Sequence, residues 1–237
     1  TAPYRAVDTR QDLAEAVDAL GLPAILKTRR FGYDGKGQAR LSTQDDQATA
    51  IADMAGQAAV LEGFISFSKE ISIIGARNSA GDVACFDPGE NIHQAGILRT
   101  TTVPAQINAT QRMDAVLLAA QIMNALDYVG VMGVELFVTG QYLIVNEIAP
   151  RVHNSGHWTQ NGCAVDQFEQ HIRAIANWPL ADGSRHSNVT MTNLIGDDLN
   201  ALEALSSQAG TALHLYGKAE IEPGRKMGHY NSVRPKS

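Results

Sequence analysis

Two glutamates on the arms of one predicted hairpin are the first candidates for chemistry. Glu135 lies within the otherwise apolar run 131–138, and Glu147 lies within 142–148. Two carboxylates on one sheet face suit Mg²⁺, a hard cation that prefers oxygen ligands and shares them with nucleotide phosphates. The two side chains share a face only if the turn has an odd number of residues, so a magnesium site requires a three-residue turn at 139–141. The alternative is a pair of exposed strand glutamates without a metal.

The segment from Lys27 to Gln38 is a second candidate, for an anion. It follows a predicted strand and contains three glycines within six residues, together with four cations. Glycine lets backbone N–H groups approach a phosphate and accepts positive φ, while Lys and Arg supply charge. The pattern is neither a Walker loop nor a dinucleotide fingerprint. From these residues alone, phosphate binding and a solvated glycine-rich turn both remain open.

The stretch 151–158, Arg-Val-His-Asn-Ser-Gly-His-Trp, follows the second glutamate directly. Its Arg offers a planar fork for a small oxyanion, and its His and Asn offer further hydrogen bonds. His153 and His157 have i, i+4 spacing, but Asn154 to Gly156 disfavour a helix and the Glu of a His-Glu-x-x-His motif is missing. Zinc is therefore disfavoured. An anion site and a loop held by Asn and Ser hydrogen bonds remain the two interpretations.

Charged residues elsewhere permit two interpretations each. Lys218, Arg225 and Lys226 stand within nine residues near the end of the sequence. They suit a ribose phosphate, but a solvated charge run is the more usual explanation of such a pattern and is favoured for these residues in isolation. Glu62 and Glu70 suit ribose hydroxyls or an adenine amine, although glutamates at strand ends are common. Nothing in the local sequence separates these interpretations.

The composition excludes several classes of protein. The 237 residues include 19 Lys plus Arg and 25 Asp plus Glu, a net charge of −6, with 44% hydrophobic residues. An acidic chain without a Lys/Arg block disfavours a nucleic-acid partner. The longest apolar run, 115–120, is far below the ~18 residues of a membrane span, so no membrane partner is expected. Two distant cysteines, Cys85 and Cys163, do not make a disulfide framework and predict a reduced, cytoplasmic protein.

These candidates must be positioned by a mixture of strands and helices. Apolar periodicity, caps and turn residues delimit the predicted elements. Strands paired through hairpins and mixed with helices predict an α+β fold in which sheets are layered against helices, and 149–162 is expected to be a loop. The predicted helices are 8–20, 43–55, 110–127, 165–177 and 198–207; the predicted strands are 23–27, 58–65, 69–77, 83–86, 97–103, 131–138, 142–148, 188–195 and 212–216.

Taken together, the motifs resemble those of the 5-(carboxyamino)imidazole ribonucleotide synthases, ATP-grasp enzymes of purine biosynthesis also described as the ATPase subunit of phosphoribosylaminoimidazole carboxylase. The similarity runs from about Thr1 to Asn231, with every block in the same order. The 150–158 block, Pro-Arg-Val-His-Asn-Ser-Gly-His-Trp, is the most specific of them. The other blocks are Lys27, 32–38, Glu62, Glu70, 91–94, 96–100, 133–135, 146–149 and 224–229.

The resemblance implies an activity and its substrates. ATP and bicarbonate form carboxyphosphate, whose carboxyl group passes to the amine of 5-aminoimidazole ribonucleotide, giving 5-(carboxyamino)imidazole ribonucleotide in the route to IMP. The implied partners are these small molecules and a second copy in a homodimer. Another ATP-grasp ligase or transferase, such as the formate-dependent glycinamide ribonucleotide transformylase, is the alternative enzyme. A nucleotide-binding fragment without turnover is the alternative of a different class.

The resemblance also implies roles for individual residues. Glu135 and Glu147 would bind Mg²⁺. Arg151, His153 and Asn154 would hold bicarbonate and carboxyphosphate. Tyr33, Asp34, Lys36, Lys218 and Arg225 would bind or orient the aminoimidazole nucleotide, with Asp34 managing the amine proton. The implied ATP contacts are Lys27, Gly32, Tyr33, Asp34, Gly35, Lys36, Gly37, Gln38, Glu62, Gly63, Phe64, Ile65, Glu70, His93, Asn146 and Glu147.

The implied fold is ATP-grasp, with mixed and antiparallel sheets and helices. Residues 1–66 would form the small subdomain with the glycine-rich loop. Residues 67–237 would form the large subdomain with the metal and substrate residues, truncated at its C-terminus. Members of the family carry an additional N-terminal Rossmann-like domain, which this sequence lacks, so the sequence is expected to be a fragment of a longer protein.

Overall fold

The computed structural model describes residues 1–30, 32 and 36–236, and these form two compact units. The first unit comprises Thr1–Phe67 with Ala95–Ile97, and the second comprises Ser68–Gln94 with residues 98–236. Both units combine antiparallel strands with helices, which confirms the α+β prediction. None of the helices in the described ranges has both the length and the apolar character that crossing a membrane requires.

The first unit is a four-stranded antiparallel sheet in the order β1-β4-β2-β3, packed against two helices. Helix α1 begins at Arg10, two residues after the predicted start, because Thr9 and Asp12 form a reciprocal capping box. Its buried Leu13 packs in one core with Leu26 and Leu61 of the sheet. The elements are β1 (Tyr4–Val7), α1 (Arg10–Leu20), β2 (Ala24–Thr28), β3 (Gln38–Leu41), α2 (Asp46–Asp53) and β4 (Ala59–Gly63).

The second unit is built on a larger sheet in the order β10-β9-β5-β7-β8-β11-β13-β12, with β6 paired to β5. Short 3₁₀ turns occupy Asn154–Gly156 and Gly196–Ala201. The elements are β5 (Lys69–Arg77), β6 (Val83–Cys85), β7 (Gly89–Gln94), β8 (Ile97–Val103), α3 (Ala109–Ala125), β9 (Gly130–Thr139), β10 (Tyr142–Ala149), α4 (Thr159–Gly162), α5 (Gln167–Ile175), β11 (Ser187–Ile195), α6 (Leu202–Ser206), β12 (Thr211–Leu215) and β13 (Lys226–Pro235).

The two faces of this sheet carry different side chains. Helix α3, capped by Asn108, packs its Ala115, Ala119 and Met123 into one core with alternate residues of β5 and β9. Because successive strand residues point to opposite faces, the intervening residues of β5 and β9 lie on the other face, away from α3. That second face carries the candidate residues described below.

Several elements differ from the sequence prediction. Strands β1, β3, β7 and β13 were not predicted, and the expected loop at 149–162 contains a 3₁₀ turn and α4. The predicted helix 198–207 begins as a 3₁₀ turn at Gly196 and becomes α-helical only at Leu202. Strand β13 has few apolar residues, yet it lies between β11 and β12, so its ladder partners rather than its own pattern determine its conformation.

Candidate active site

In the first unit, the predicted binding residues Lys27 and Glu62 form an ion pair. Their strands, β2 and β4, are hydrogen-bonded neighbours, and the Lys27 Nζ lies 2.7 Å from a carboxylate oxygen of Glu62. Both side chains are about one quarter exposed, at 28% and 27%. Leu26 and Leu61 point into the core from the same strands, so alternation places the ion pair on the opposite, accessible face.

The glycine-rich segment is described in part. Phe31 and the predicted site residues Tyr33, Asp34 and Gly35 lie outside the described residues. Gly37 has φ of +73° and accepts a hydrogen bond at its carbonyl from the Thr28 N–H. A Cβ at Gly37 would lie 2.6 Å from the Thr28 hydroxyl oxygen, so both conformation and space require glycine there.

Other predicted residues of the first unit flank these two features. Lys36 and Gln38 are exposed on either side of Gly37, and Gln38 is paired with Lys27 across the β2–β3 ladder. Gly32 is exposed. At the end of β4, the Gly63 N–H donates to the Pro3 carbonyl, and the following Phe64 N–H donates to the Pro23 carbonyl. The Phe64 ring lies under the Arg40 guanidinium, and Ile65 is half-buried.

In the second unit, the predicted metal ligands Glu135 and Glu147 are direct partners across the β9–β10 ladder. The expected three-residue turn is wrong: Thr139 pairs with Tyr142, which leaves a two-residue turn of Gly140 and Gln141. An irregularity between Val145 and Glu147 adds one residue, Asn146, to β10. With a two-residue turn and no bulge, the Glu147 side chain would point to the other face of the sheet from that of Glu135. The bulge brings the two side chains to the same face, with Glu147 directly paired with Glu135.

The ladders extend this arrangement to two further predicted residues. Glu70 of β5 is two positions from Ser72, which pairs with Glu135, and His93 of β7 is two positions from Asn91, which pairs with Glu70. Residues two apart share a face, so four side chains from four adjacent strands lie on one side of the sheet. We call this set, Glu70, His93, Glu135 and Glu147, the acidic face.

Charges on the acidic face are partly compensated. Burial lowers the pKa of His93, but a hydrogen bond and the charge of Glu70 outweigh it and raise that pKa overall, so His93 and Glu70 form an ion pair. Burial, followed by the negative charge of Glu147, raises the pKa of Glu135 to about 7. The Glu135 side chain is only 13% exposed. The pair of glutamates therefore carries negative charge that the surrounding residues do not fully neutralise.

This donor set fits Mg²⁺ bound together with a nucleotide. Its ligands are two carboxylates, the hard oxygen donors that Mg²⁺ prefers. Among the described residues, no group of three or more His, Cys, Asp or Glu side chains is arranged to hold a metal ion. Mg²⁺ is commonly bound by one or two carboxylates, with phosphates and water completing its coordination. A cation between the two glutamates would also relieve the repulsion that raises the Glu135 pKa.

The segment after β10 brings His153 beside Glu135. The His153 Nε2 lies 3.9 Å from Glu135 Oε1, and the imidazole packs on Gly133 of β9, where a Cβ would lie 2.8 Å from the His153 Cβ. Burial, reinforced by the Arg151 charge, lowers the pKa of His153 to about 3, so this contact is not an ion pair. The His153 Nδ1 lies 2.8 Å from the Ser155 hydroxyl oxygen and accepts from the Ser155 N–H at 3.4 Å, so we assign the proton of the neutral ring to Nε2, facing Glu135.

Two neighbours of His153 have unused hydrogen-bonding capacity. Both amide atoms of the Asn154 side chain are buried without a partner among the described residues. Arg151 is exposed and donates from one nitrogen to the carbonyl of Val152. Buried amide groups are rarely left unpaired in native proteins, so Asn154 fits a ligand that both donates and accepts. Bicarbonate has that property.

The predicted cations near the end of the chain lie in the connection between β12 and β13. The Lys218 Nζ donates to the carbonyl of Lys226 over 2.7 Å, and Arg225 lies 3.5 Å from a carboxylate oxygen of Glu222. No contact in the described part of the chain joins Lys218 or Arg225 to the acidic face. The adjacent Lys226 does act on it, since its charge lowers the pKa values of Glu135 and His153.

Sequence reasoning missed three features of this site. Lys226 was predicted as a candidate for a ribose phosphate, but its action on Glu135 was not anticipated. Gln167 was not selected at all, although its carboxamide contacts the backbone of His153. The third is a column of four stacked rings, in the order Phe168, His157, His229 and His214, with centroids 5.6, 4.7 and 4.6 Å apart. These four rings are well separated in the sequence, so no local pattern predicts that they stack. His157 and His229 lie within motifs that the sequence analysis identified, but those motifs do not indicate the stacking.

Comparison with known proteins identifies the family. The ATP-grasp domain profile matches residues 1–168, and the profile of the phosphoribosylaminoimidazole carboxylase C-terminal domain matches residues 189–237. The N5-carboxyaminoimidazole ribonucleotide synthase of Brucella melitensis is 50% identical over 240 residues, covering 100% of this chain and 66% of that protein.

Solved structures give the same result. The chain matches the crystal structure of an ADP complex of N5-carboxyaminoimidazole ribonucleotide synthetase with a TM-score of 0.95 and 39% identity, over 100% of this chain and 63% of that one. It matches the Aspergillus clavatus synthase in complex with ADP and 5-aminoimidazole ribonucleotide with a TM-score of 0.93 and 31% identity, over 100% and 64%.

These relatives are longer, and the chain spans slightly less than two thirds of their length. The matches cover the whole of this chain, so the acidic face and the segment that follows it lie within them. The chain therefore belongs to the ATP-grasp family, and within that family its similarity is to the N5-carboxyaminoimidazole ribonucleotide synthases.

Proposed function

We propose that this chain carries out the ATP- and bicarbonate-dependent carboxylation of 5-aminoimidazole ribonucleotide. ATP phosphorylates bicarbonate, giving carboxyphosphate and ADP. The amine of the ribonucleotide then attacks the carboxyl carbon, phosphate leaves, and the amine loses a proton as the N-carboxy product forms. The similarity to synthases of this name along the whole chain supports the assignment.

One observation carries the proposal. The acidic face and the buried, unpaired carboxamide of Asn154 adjoin each other within one unit, because His153 contacts Glu135 and Asn154 follows it in sequence. A carboxylating ligase needs this adjacency, since bicarbonate must be held beside the phosphoryl group that it accepts. A protein that only bound a nucleotide would have no need of it.

Mg²⁺ is the proposed metal, held by Glu135 and Glu147. When bound, it would offset the negative charge of the transferring phosphoryl group. The chain's own residues supply the remaining compensation: His93 is paired with Glu70, and the Lys226 charge acts on Glu135. Asn146, the extra residue of the bulge, is proposed to contact the nucleotide.

Bicarbonate is the proposed ligand of Arg151, His153 and Asn154. The Asn154 amide has a free donor and a free acceptor, and bicarbonate can accept from the first and donate to the second. Neutral His153 would donate from Nε2 to a bicarbonate or carboxyphosphate oxygen. Because its pKa is near 3, this ring does not act as an acid with a mobile charge at neutral pH. Arg151 would supply the cationic fork.

ATP binding is further assigned to residues of the first unit. Lys27, already oriented by Glu62, would contact phosphate oxygens. Because Gly37 has no side chain, an anion could also approach the backbone at this residue. For the remaining ATP contacts, we propose the residues that the family resemblance implies. Tyr33, Asp34, Lys36, Lys218 and Arg225 are proposed for 5-aminoimidazole ribonucleotide, the ligand in the A. clavatus complex, and Asp34 for the amine proton.

Release of ADP tests the proposal. The chain is incubated with ATP, Mg²⁺ and bicarbonate, with and without 5-aminoimidazole ribonucleotide, and ADP and the acid-labile N-carboxy product are quantified. Release that depends on both bicarbonate and the ribonucleotide is expected. ATP binding without stimulated release would instead indicate a nucleotide-binding unit without turnover, and stimulation by formate with glycinamide ribonucleotide would indicate the alternative transformylase.

A cytoplasmic homodimer acting with the decarboxylase of the pathway is proposed on the family resemblance alone.

A further inference from the structure

We propose that Gln167 is a positioning residue that fixes the backbone of His153 and thereby aligns the bicarbonate-binding residues 151–154. The inference rests on the proposed function for its kinetic consequence. Its structural part, that the Gln167 carboxamide holds this segment, can be tested without turnover.

The Gln167 carboxamide grips one residue on both sides. Its Oε1 accepts from the His153 N–H at 2.9 Å, and its Nε2 donates to the His153 carbonyl at 2.8 Å. The second hydrogen on Nε2 reaches His157 Nδ1 at 3.0 Å. Gln167 is fully buried and its two bonds to the His153 backbone are shielded from water, so they are costly to lose.

The two hydrogen bonds from Gln167 take the place of the backbone hydrogen bonds that a neighbouring strand would make with residues 151–153. Residues 151–153 follow β10 and precede a 3₁₀ turn, so they belong to no strand, and the turn contributes one backbone hydrogen bond, from the Gly156 N–H to the His153 carbonyl at 2.9 Å. The bidentate carboxamide supplies the donor and acceptor that a neighbouring strand would otherwise present. One side chain of α5 therefore holds both backbone polar groups of His153 and contributes to the position of its ring and of Asn154 next to it.

Packing around the carboxamide shows that its place is built rather than incidental. A Cβ at Gly156 would lie 2.4 Å from Gln167 Oε1, so only glycine leaves room for it. The Gln167 N–H donates to the Thr159 hydroxyl at 3.1 Å, and that hydroxyl donates to the Gly156 carbonyl at 2.6 Å. Gln167 is thus anchored at its own backbone as well as at its amide.

The same helix contains a matched control. Gln170, also fully buried, grips Ala181 in the same way: its Nε2 donates to the Ala181 carbonyl at 2.8 Å and its Oε1 accepts from the Ala181 N–H at 3.0 Å. Ala181 lies in the connection after α5, and no contact in the described residues links it to the acidic face. Both glutamines therefore bind the N–H and the carbonyl of one backbone residue, and they differ in which residue that is.

The decisive experiment compares Gln167→Met with Gln170→Met in the same chain. Methionine keeps the length and volume of glutamine but cannot make the paired hydrogen bonds. Both variants are expected to lower the melting temperature by similar amounts. Gln167→Met is expected to raise the KM for bicarbonate at least about tenfold, because small misplacement of a binding group is costly, and to leave the KM for ATP within about twofold. Gln170→Met should leave both KM values within about twofold.

Amide hydrogen exchange of residues 152–157 is measured in the same variants without substrates. Faster exchange there in Gln167→Met, and unchanged exchange in Gln170→Met, is expected. The proposal is overturned if exchange and the bicarbonate KM are unchanged in Gln167→Met, or if Gln170→Met raises that KM equally.

Two further measurements separate the possible failures. If the wild-type chain shows no substrate-stimulated ADP release, the proposed function fails, and hydrogen exchange alone decides the positioning role. If Gln167→Met does not fold, Gln167→Glu replaces it, since this variant keeps the acceptor for the His153 N–H. It should then accelerate exchange of the Asn154 and Ser155 amides more than that of His153, and equal acceleration of all three would overturn the proposal.

Discussion

Glu135 and Glu147 face each other across β9 and β10 although the turn between their strands has two residues. In an unbroken ladder with this turn, Glu147 would lie on the face that packs against α3, where Val145 lies. The extra residue Asn146 reverses the alternation, so the carboxylate points to the other face. With Asn146 present, the pairing of the two glutamates therefore requires the bulge that accommodates this residue.

Removal of one carboxylate tests the metal assignment. Glu147→Gln is expected to weaken binding of Mn²⁺, used as a spectroscopic probe for Mg²⁺, by roughly tenfold or more in the presence of ADP, because an anionic ligand is lost. Electron paramagnetic resonance of free Mn²⁺ measures the affinity. Glu169→Gln, an exposed change on α5, is the control. Equal affinity in Glu147→Gln and the control would remove Glu147 from the metal site.

The pKa of Glu135 gives a second prediction for the metal-free chain. Burial and then the Glu147 charge raise this pKa to about 7, so Glu147→Gln should lower it, while burial keeps it above the ordinary value. A cation binds the ionised form, so metal affinity should fall as the pH drops below about 7 and binding should release a proton. Carboxyl ¹³C NMR measures the titration. An unchanged or higher Glu135 pKa in Glu147→Gln would contradict the coupling.

Deletion of Asn146 separates the bulge from its side chain. Without this residue, Val145 stays opposite Leu136 and Glu147 becomes the next residue of a regular ladder, still opposite Glu135. Mn²⁺ binding should therefore be retained within about threefold, while ADP binding should weaken as much as in Asn146→Ala, which keeps the bulge but loses the amide. Calorimetric titration distinguishes these outcomes. Loss of Mn²⁺ binding in the deletion but not in Asn146→Ala would show that the bulge itself is needed.

Much of the second unit could be predicted because its strands alternate or are continuously apolar. Lys69–Arg77 and Ile97–Val103 begin and end where the pattern indicates. The pairing of the two glutamates could be anticipated, but its geometry could not, because neither the even turn nor the bulge has a pattern of its own. Strand β13 was missed since its polar residues, such as Asn231, are buried by hydrogen bonds with distant segments.

The roles of His153 and Gln167 depend on contacts that no local pattern contains. The protonation state of His153 follows from its burial and from Arg151. Its tautomer follows from the Ser155 N–H, which becomes a donor to the ring only once the 3₁₀ turn has formed. Likewise, the sequence gives no reason to distinguish Gln167 from other polar helix residues, because its partner His153 lies 14 positions earlier in the chain. Residue types predicted which groups are present, and long-range packing decided their state.

Gly133→Ala tests the placement of His153 over β9. The new Cβ would lie 2.8 and 2.9 Å from the His153 Cβ and Cγ, so the ring must move away from Glu135. We expect a loss of about 1 to 3 kcal/mol of stability and a raised KM for bicarbonate. Gly75→Ala, on the adjacent strand β5, is the control, because its Cβ would meet the flexible side chain of Met123 on α3. It should cost stability without changing that KM, and a shared kinetic effect would contradict the assignment.

The ring column predicts sensitivity to acid. Burial, followed by the neighbouring His157 and His214, lowers the pKa of His229 to about 3, and burial followed by His214 lowers that of His157 to about 4. In the unfolded chain these rings titrate near the ordinary value of about 6.5. The unfolded state thus binds protons that the folded state excludes, so their stabilising contribution is complete above pH 6.5 and is lost as the pH falls toward 3.

His229→Phe isolates one ring of the column. The variant loses the hydrogen bond between the Tyr216 hydroxyl and His229 at every pH, which lowers its stability by a constant amount. Between pH 7 and pH 5, however, it should lose about 1 to 2 kcal/mol less than the wild type, because one titrating group is gone. Urea unfolding at the two pH values measures this difference, with the exposed His186→Phe as control. Equal losses in His229→Phe and the wild type would mean that His229 already takes up its proton in the folded chain near pH 6.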